Sequence, residues 1–346
     1  MLYPLMKIRA VTLFHDNVSD LDEMLNRLDL AINEASKETG LEVLTRRVTF
    51  PYMGPRLNVE EIGRIAERRG YVYSALAARD SVNAASLAKL LITTKSYGSV
   101  LVDDVGKAET VVEVLRIISQ DGSDAAKRFA ALIGGELETP YYPASVNLRG
   151  GTGIALAVLY PKDLIGVTNI EDLRAKLSSL RSAEEFGRRV ADLAGIEYRG
   201  IDASLSPWGW ESVVDVLEQL GRKLSSPGFM MSIWRVNKEL MELPIKKLGF
   251  NEVMLPLAED ERLKERARSG ELSFKDLTMY SSVCVAGVDM VPIPVSDVFK
   301  VRGVIEDLYS ISRSKGRPIG LRLIPVKGSR EVEVEGFGST PVLSIY

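Results

Sequence analysis

Residues 7–14 read KIRAVTLF, an apolar and β-branched run of strand length. Behind it, apolar side chains fall at Leu21, Met24, Leu25, Leu28 and Ile32, the spacing of one helix face. This predicts a helix over 20–39, with Gly40 where a C-cap glycine belongs. The alternation repeats. A strand over 41–50 stops at Pro51, and Asn58 is placed to cap a helix that ends before Gly70. Residues 71–77 and 99–104 predict strands, the second with little polar relief, as when both faces are covered. Residues 82–93 predict a helix, as does the face of Ala108, Val111, Val112, Leu115 and Ile118. Residues 124–133 predict a further short helix.

Residues 136–153, ELETPYYPASVNLRGGTG, break the rhythm. They are rich in Pro, Gly and Tyr, lack a helical period and predict a structured loop. A strand (IALAVLY), one helix over 171–194, a strand over 196–202 and a helix over 210–221 follow. Further on come a helix over 229–243, a short strand in NEVMLPL, helices over 259–268, 274–283 and 297–315, and strands near IGLRLIPV, EVEVE and TPVLSIY. Helix and strand alternate almost throughout, with no linker, charge block or repeat. The pattern predicts an α/β protein: one large domain over 1–346, a sheet or barrel covered by helices.

Composition narrows the chemistry. The 346 residues hold one cysteine, Cys284, and one histidine, His15, which excludes an internal disulfide and a His/Cys zinc cluster. Neither a metal nor another cofactor is expected. The formal charge of −3 gives no basic excess, so neither nucleic acid nor an acidic membrane is an expected partner. With no membrane-length apolar run and no leader-like opening residues, a cytoplasmic location is expected. Arginine outnumbers lysine 27 to 17 and glutamine occurs only twice, a balance that fits a thermophile. Self-association is expected, a two-fold dimer first.

Several places could carry chemistry. YSSVCVAGVDMVPIPVSD, residues 280–297, sets Cys284 beside Ser282 and ahead of Asp289. Pro292 and Pro294 argue against a continuous central strand and for a rigid loop presenting the thiol. A nucleophilic cysteine needs a nearby cation or helix N-terminus, and the alternative is a thiol buried as a small hydrophobe. GIDASLSPWGWES puts Asp202, Ser204 and Ser206 just past a strand, where ligands gather in α/β folds, or where a turn and cap need them. NLRGGTG could cradle an anion with Arg149 supplying charge, or serve as a flexible turn. Arg79 closes a strand and could line the same end. His15 follows the first strand beside Asp16. The EDERLKER run reads as a solvated helix face.

The stretches KIRAVTLF, TPYYPAS, GTGIALAVLYPKDL, GIDASLSPW, GFNEVMLPLAEDERL, YSSVCVAGVDMVPIP and RPIGLRLIPV, in this order, resemble an uncharacterised family. It is domain of unknown function 711, whose members are described as pyruvate formate-lyase-like. The resemblance implies the glycyl-radical-enzyme barrel: a closed ten-stranded α/β barrel with a loop inside. It also implies that Cys284 corresponds to that loop's reactive residue. Three departures accompany it, one being Pro292-Ile293-Pro294-Val295-Ser296-Asp297 in place of the family's PIPGD-like ending. Val285-Ala286-Gly287 stands where the family shows Gly-Thr-Gly, and Glu333 replaces the arginine of a radical-site signature, so no glycyl radical is expected.

Residues and resemblance together predict an enzyme acting on a small carboxylate or acyl compound inside the barrel. Cys284 would be nucleophile or acid/base, Asp289 and Asp202 its polar partners, and Arg149, Ser204, Ser282 and Arg79 ligand-binding. One alternative is a non-catalytic small-molecule-binding or regulatory protein that reuses the barrel. Another is a structural oligomer.

Overall fold

Strand β1 (Lys7–Phe14) forms where its apolar run predicts it, with every side chain after the first buried. In the computed structural model, which describes residues 6–54, 57–80, 82–121, 124–328 and 330–346, β1 is the hinge of the sheet. The opening residues 1–5, part of the stretch read for a leader, lie outside that description. On one side β2 (Val43–Thr49), β3 (Val72–Ala78), β4 (Tyr97–Val102) and β5 (Phe129–Ile133) follow in order, all parallel. On the other side β6 (Gly153–Leu159) runs antiparallel to β1, and β7 (Glu197–Asp202) lies parallel to β6. Beyond these, β8 (Met254–Pro256) and β9 (Ala286–Asp289) form a parallel pair. The remaining strands are β10 (Val291–Pro294), β11 (Ile319–Leu321), β12 (Leu323–Val326), β13 (Glu331–Val334) and β14 (Gly338–Pro341). β10 pairs with β12, β13 with β14, and β11 joins the main sheet antiparallel to β5.

The result is one eight-stranded sheet, ordered β11-β5-β4-β3-β2-β1-β6-β7, curled into a half-barrel within a single α/β domain. This corrects the closed ten-stranded barrel implied by the resemblance. Such a ring would need β8 and β9 as full members between β7 and β11, yet each has a strand ladder only with the other. They have three and four residues, and β8 contains Pro256, too little for a two-sided ladder. Single backbone bonds tie the pair to the sheet edges. Met254 N–H donates to Leu205 O (3.0 Å), Gly320 N–H to Val285 O (3.0 Å) and Arg322 N–H to Val288 O (3.1 Å).

Outside, the helices cover the sheet as their periodicity predicts. The helix Leu21–Thr39 buries Leu21, Met24, Leu25, Leu28 and Ile32, and Gly40 ends it at φ 73°. The helix Val59–Arg68 is capped by Asn58, whose side chain accepts from Glu61 N–H at 3.1 Å. Two of the local expectations fail. Residues 124–133 form a short turn followed by β5, because Phe129–Ile133 is wanted on both faces by the core. The helix over 171–194 is two helices, Ile170–Leu177 and Leu180–Ala194. Pro292 and Pro294 interrupt no central strand, as expected; they lie in β10, which pairs with β12 in a two-stranded sheet.

A loop does run through the interior, but it is 136–152 rather than the cysteine segment. Small and polar residues on the concave face make room for it and meet its polar groups. Thr12 donates to Pro140 O (3.3 Å) and Ser74 to Ser145 O (3.2 Å), while Tyr142 Oη donates to Val48 O (2.6 Å). Tyr141 and Ala144 share an apolar cluster with Ala10, Leu101, Leu132 and Ala157, drawn from β1, β4, β5 and β6.

The fully buried Asp202 carboxylate fastens this loop. It accepts from Thr139 Oγ1 (2.9 Å), Ser204 Oγ (2.6 Å) and the N–H groups of Phe250 (2.8 Å), Asn251 (2.9 Å) and Ser204 (3.1 Å). Gly249 permits the approach: its φ is +94°, and an added Cβ would sit 2.1 Å from Asp202 Oδ2. The Gly249→Ala variant should therefore lose roughly 2 kcal/mol or more of stability. Urea unfolding measures this, and an unshifted midpoint would refute the close approach.

Candidate functional site

Where the interior loop turns, the half-barrel keeps a chamber of about 230 Å³. It lies toward the amino ends of β1–β4, at Arg9, Thr45, Val72 and Tyr97, and the carboxyl ends of β8, β9 and β11, at Pro256, Asp289 and Leu321. Strand-end ligand logic thus holds for the second set of strands and not the first.

The chamber is built on arginines carried by strands. Arg9, on β1, is buried; its Nη2 donates to Glu259 Oε2 (2.6 Å) and its Nη1 to Pro207 O (2.6 Å), and its guanidinium lies 4.8 Å from the Trp208 ring. Arg322, just past β11, donates from Nε to Asp289 Oδ1 (2.6 Å) and from Nη2 to Asp289 Oδ2 (2.9 Å) and Glu259 Oε1 (2.8 Å). Glu259 therefore bridges two cations. Burial opposes its charge, but Arg9 and Arg322 overcome this and hold its pKa below the usual carboxylate value. Burial pushes Asp289 up against the pull of Arg322, and the Glu259 charge adds to the rise. Arg47, on β2, differs. It donates to Thr45 Oγ1 and Pro140 O, each at 3.2 Å, and lies 5.0 Å from the Tyr142 ring. Among the described residues it has no carboxylate partner. Burial, then repulsion from Arg9, lowers its pKa.

Of the predicted site residues, Asp289 lines this chamber, and so does Ser206, bonded at 2.9 Å to Tyr141 Oη. The others are elsewhere. Asp202 and Ser204 form the buried knot described above. Arg149 is exposed and paired to Glu138 at 2.7 Å, and the Gly151 N–H of the same loop donates to Asp16 (2.7 Å). Arg79 is exposed, 3.4 Å from Glu136. Ser282 donates to Met279 O at 2.8 Å. His15 is buried between Thr152 Oγ1 (2.9 Å) and Asp20 Oδ1 (3.0 Å), not paired with Asp16. Cys284 joins the helix-side core, whereas its neighbours Val285 and Ala286 face the interior cluster. Burial pushes its thiol up to about 12.

Sequence reasoning missed Arg9, Arg47, Arg322 and Glu259. The available signal was an arginine set inside an apolar strand, in KIRAVTLF, TRRVTF and IGLRLIPV. Such a residue needs a buried partner or a ligand. Among the described residues, no cluster of three or more His, Cys, Asp or Glu could hold a metal ion, and no helix is long and apolar enough to cross a membrane.

Fold and chamber together define an α/β half-barrel protein with an arginine-lined interior site. The family described as Uncharacterised ACR (DUF711) matches residues 85–337, and the chain belongs to it, as the resemblance implied. It is similar to the UPF0210 protein of Pyrobaculum islandicum, 25% identical over 98% of this chain and 89% of that one. The UPF0210 protein of Sulfurisphaera tokodaii is 25% identical over 89% of this chain and 79% of the relative. That of Methanopyrus kandleri is 26% identical over 91% and 72%. None of these names specifies an activity.

Two expectations test the local chemistry. Native protein at pH 8 should resist alkylation of Cys284 by iodoacetamide and react only once unfolded, as read by intact mass; fast native labelling would place the thiol elsewhere. Asp260, buried next to Glu259, caps the helix Glu261–Arg268, and burial raises its pKa to about 6. Folding thus favours its protonated form. That contribution is complete below the ordinary value of 3.8 and is lost as pH rises through about 6. Relative to Asp260→Asn, the wild-type protein should lose about 2 kcal/mol between about pH 4 and 7 in urea unfolding. A constant difference would count against the raised pKa.

Proposed function

We propose that the chamber binds a small carboxylate-bearing molecule, with Arg47 as the principal anchor. The observation that carries this reading is the guanidinium of Arg47, half-buried in the chamber wall with no carboxylate partner among the described residues. Desolvating a charge without a counter-charge is costly, and a carboxylate on the planar guanidinium fork would offset it. The reading favours a small-molecule-binding protein. An enzyme acting on a bound carboxylate or acyl compound is the second reading. Asp289 favours it, because it lines the chamber and its raised pKa suits a proton donor. The thiol of Cys284, packed on the helix side, supports no step in the chamber.

Isothermal titration with a panel of small carboxylates tests the reading. At least one should bind, and Arg47→Met should weaken it tenfold or more, about 1.4 kcal/mol, with circular dichroism unchanged. Undiminished affinity in that variant would sink the proposal.

A further inference from the structure

We infer that the ligand is a monocarboxylate carrying one apolar tail about the size of a phenyl ring, an inference that rests on the carboxylate reading above. The first support is the charge inside the chamber. Its lining holds the cations Arg9, Arg47, Lys127 and Arg322 and the carboxylates Glu259, Asp289 and Glu335. Arg9 is paired to Glu259 at 2.6 Å, and Arg322 to Asp289 at 2.6 Å and Glu259 at 2.8 Å. Lys127 is paired to Glu335, and to Asp124 at 2.5 Å. Of these four cations, Arg47 is the one without a carboxylate partner among the described residues. A second carboxylate on the ligand would find every other cation of the lining already paired, so its desolvation would go uncompensated.

The second support is the apolar part of the chamber wall. Tyr141, Phe250, Met254 and Ala286 line the chamber and form one contiguous apolar cluster. On the anchor side, Tyr142 lies under the Arg47 guanidinium at 5.0 Å, with the Tyr97 ring tilted against it at 5.1 Å. A charged head held at Arg47 therefore projects its remainder against aromatic and aliphatic carbon. The volume accommodates a ligand of this size. An apolar cavity of about 150 Å³ accommodates benzene. The present 230 Å³ adds room for a carboxylate and one or two carbons.

The test is calorimetric titration of the full chain at neutral pH with acetate, succinate, phenylacetate, 3-phenylpropionate and the uncharged phenylacetamide. The phenyl acids should bind at least tenfold more tightly than acetate or succinate, and phenylacetamide should not bind. Ala286→Val narrows the apolar wall and should cost 3-phenylpropionate more affinity than acetate. Succinate or acetate matching the phenyl acids would overturn the tail and single-charge inference while leaving carboxylate binding in place. Binding of phenylacetamide on a par with phenylacetate, or failure of every carboxylate to bind, would overturn both. The ligand series needs only the wild-type protein, so it decides the matter even if the variant fails to fold.

Discussion

A sheet that curls has a concave face to fill, and here the chain fills it with its own loop, 136–152. Everything else in the interior follows from that constraint. The loop's backbone brings polar groups into a buried space, and each needs a partner. The concave face supplies them as Thr12, Thr49 and Ser74, and Asp202 fastens the loop's entry through Thr139. A concave face lined with large aliphatic residues would have left the loop no room and its carbonyls no donors.

Filling is incomplete where the loop turns at Tyr141 and Tyr142, and there the lining changes from satisfied to charged. Arg9, Glu259, Arg322 and Asp289 form an alternating chain in which each charge meets an opposite one at 2.6–2.9 Å. Such a buried chain adds little net stability, because desolvation consumes most of the attraction. What it does is fix four side chains in place around a cavity. Among the described residues Arg47 stands outside this chain of ion pairs, donating instead to Thr45 Oγ1 and Pro140 O.

The lone cysteine shows how a motif and its surroundings can part company. The proline- and glycine-marked segment around Cys284 is the most distinctive in the sequence, and the resemblance gives it a reactive role. In the fold, residues 285 and 286 join the interior cluster, whereas Cys284, which precedes β9, packs in the helix-side core. Ala286, two residues on, lines the chamber, and Cys284 does not.

The sequence by itself determined the α/β alternation, most helix faces, the caps at Asn58 and Gly40 and the family, because these depend on local periodicity and on contiguous motifs. It also marked 136–153 as a loop without saying where the loop goes. Only the tertiary structure decided that the sheet stops at a half-barrel, that this loop enters it, and that residues 9, 47, 259 and 322 meet. Their meeting depends on which strands are neighbours and how far the sheet curls. A single arginine in an apolar strand looks the same whether it faces solvent, a carboxylate or an open chamber.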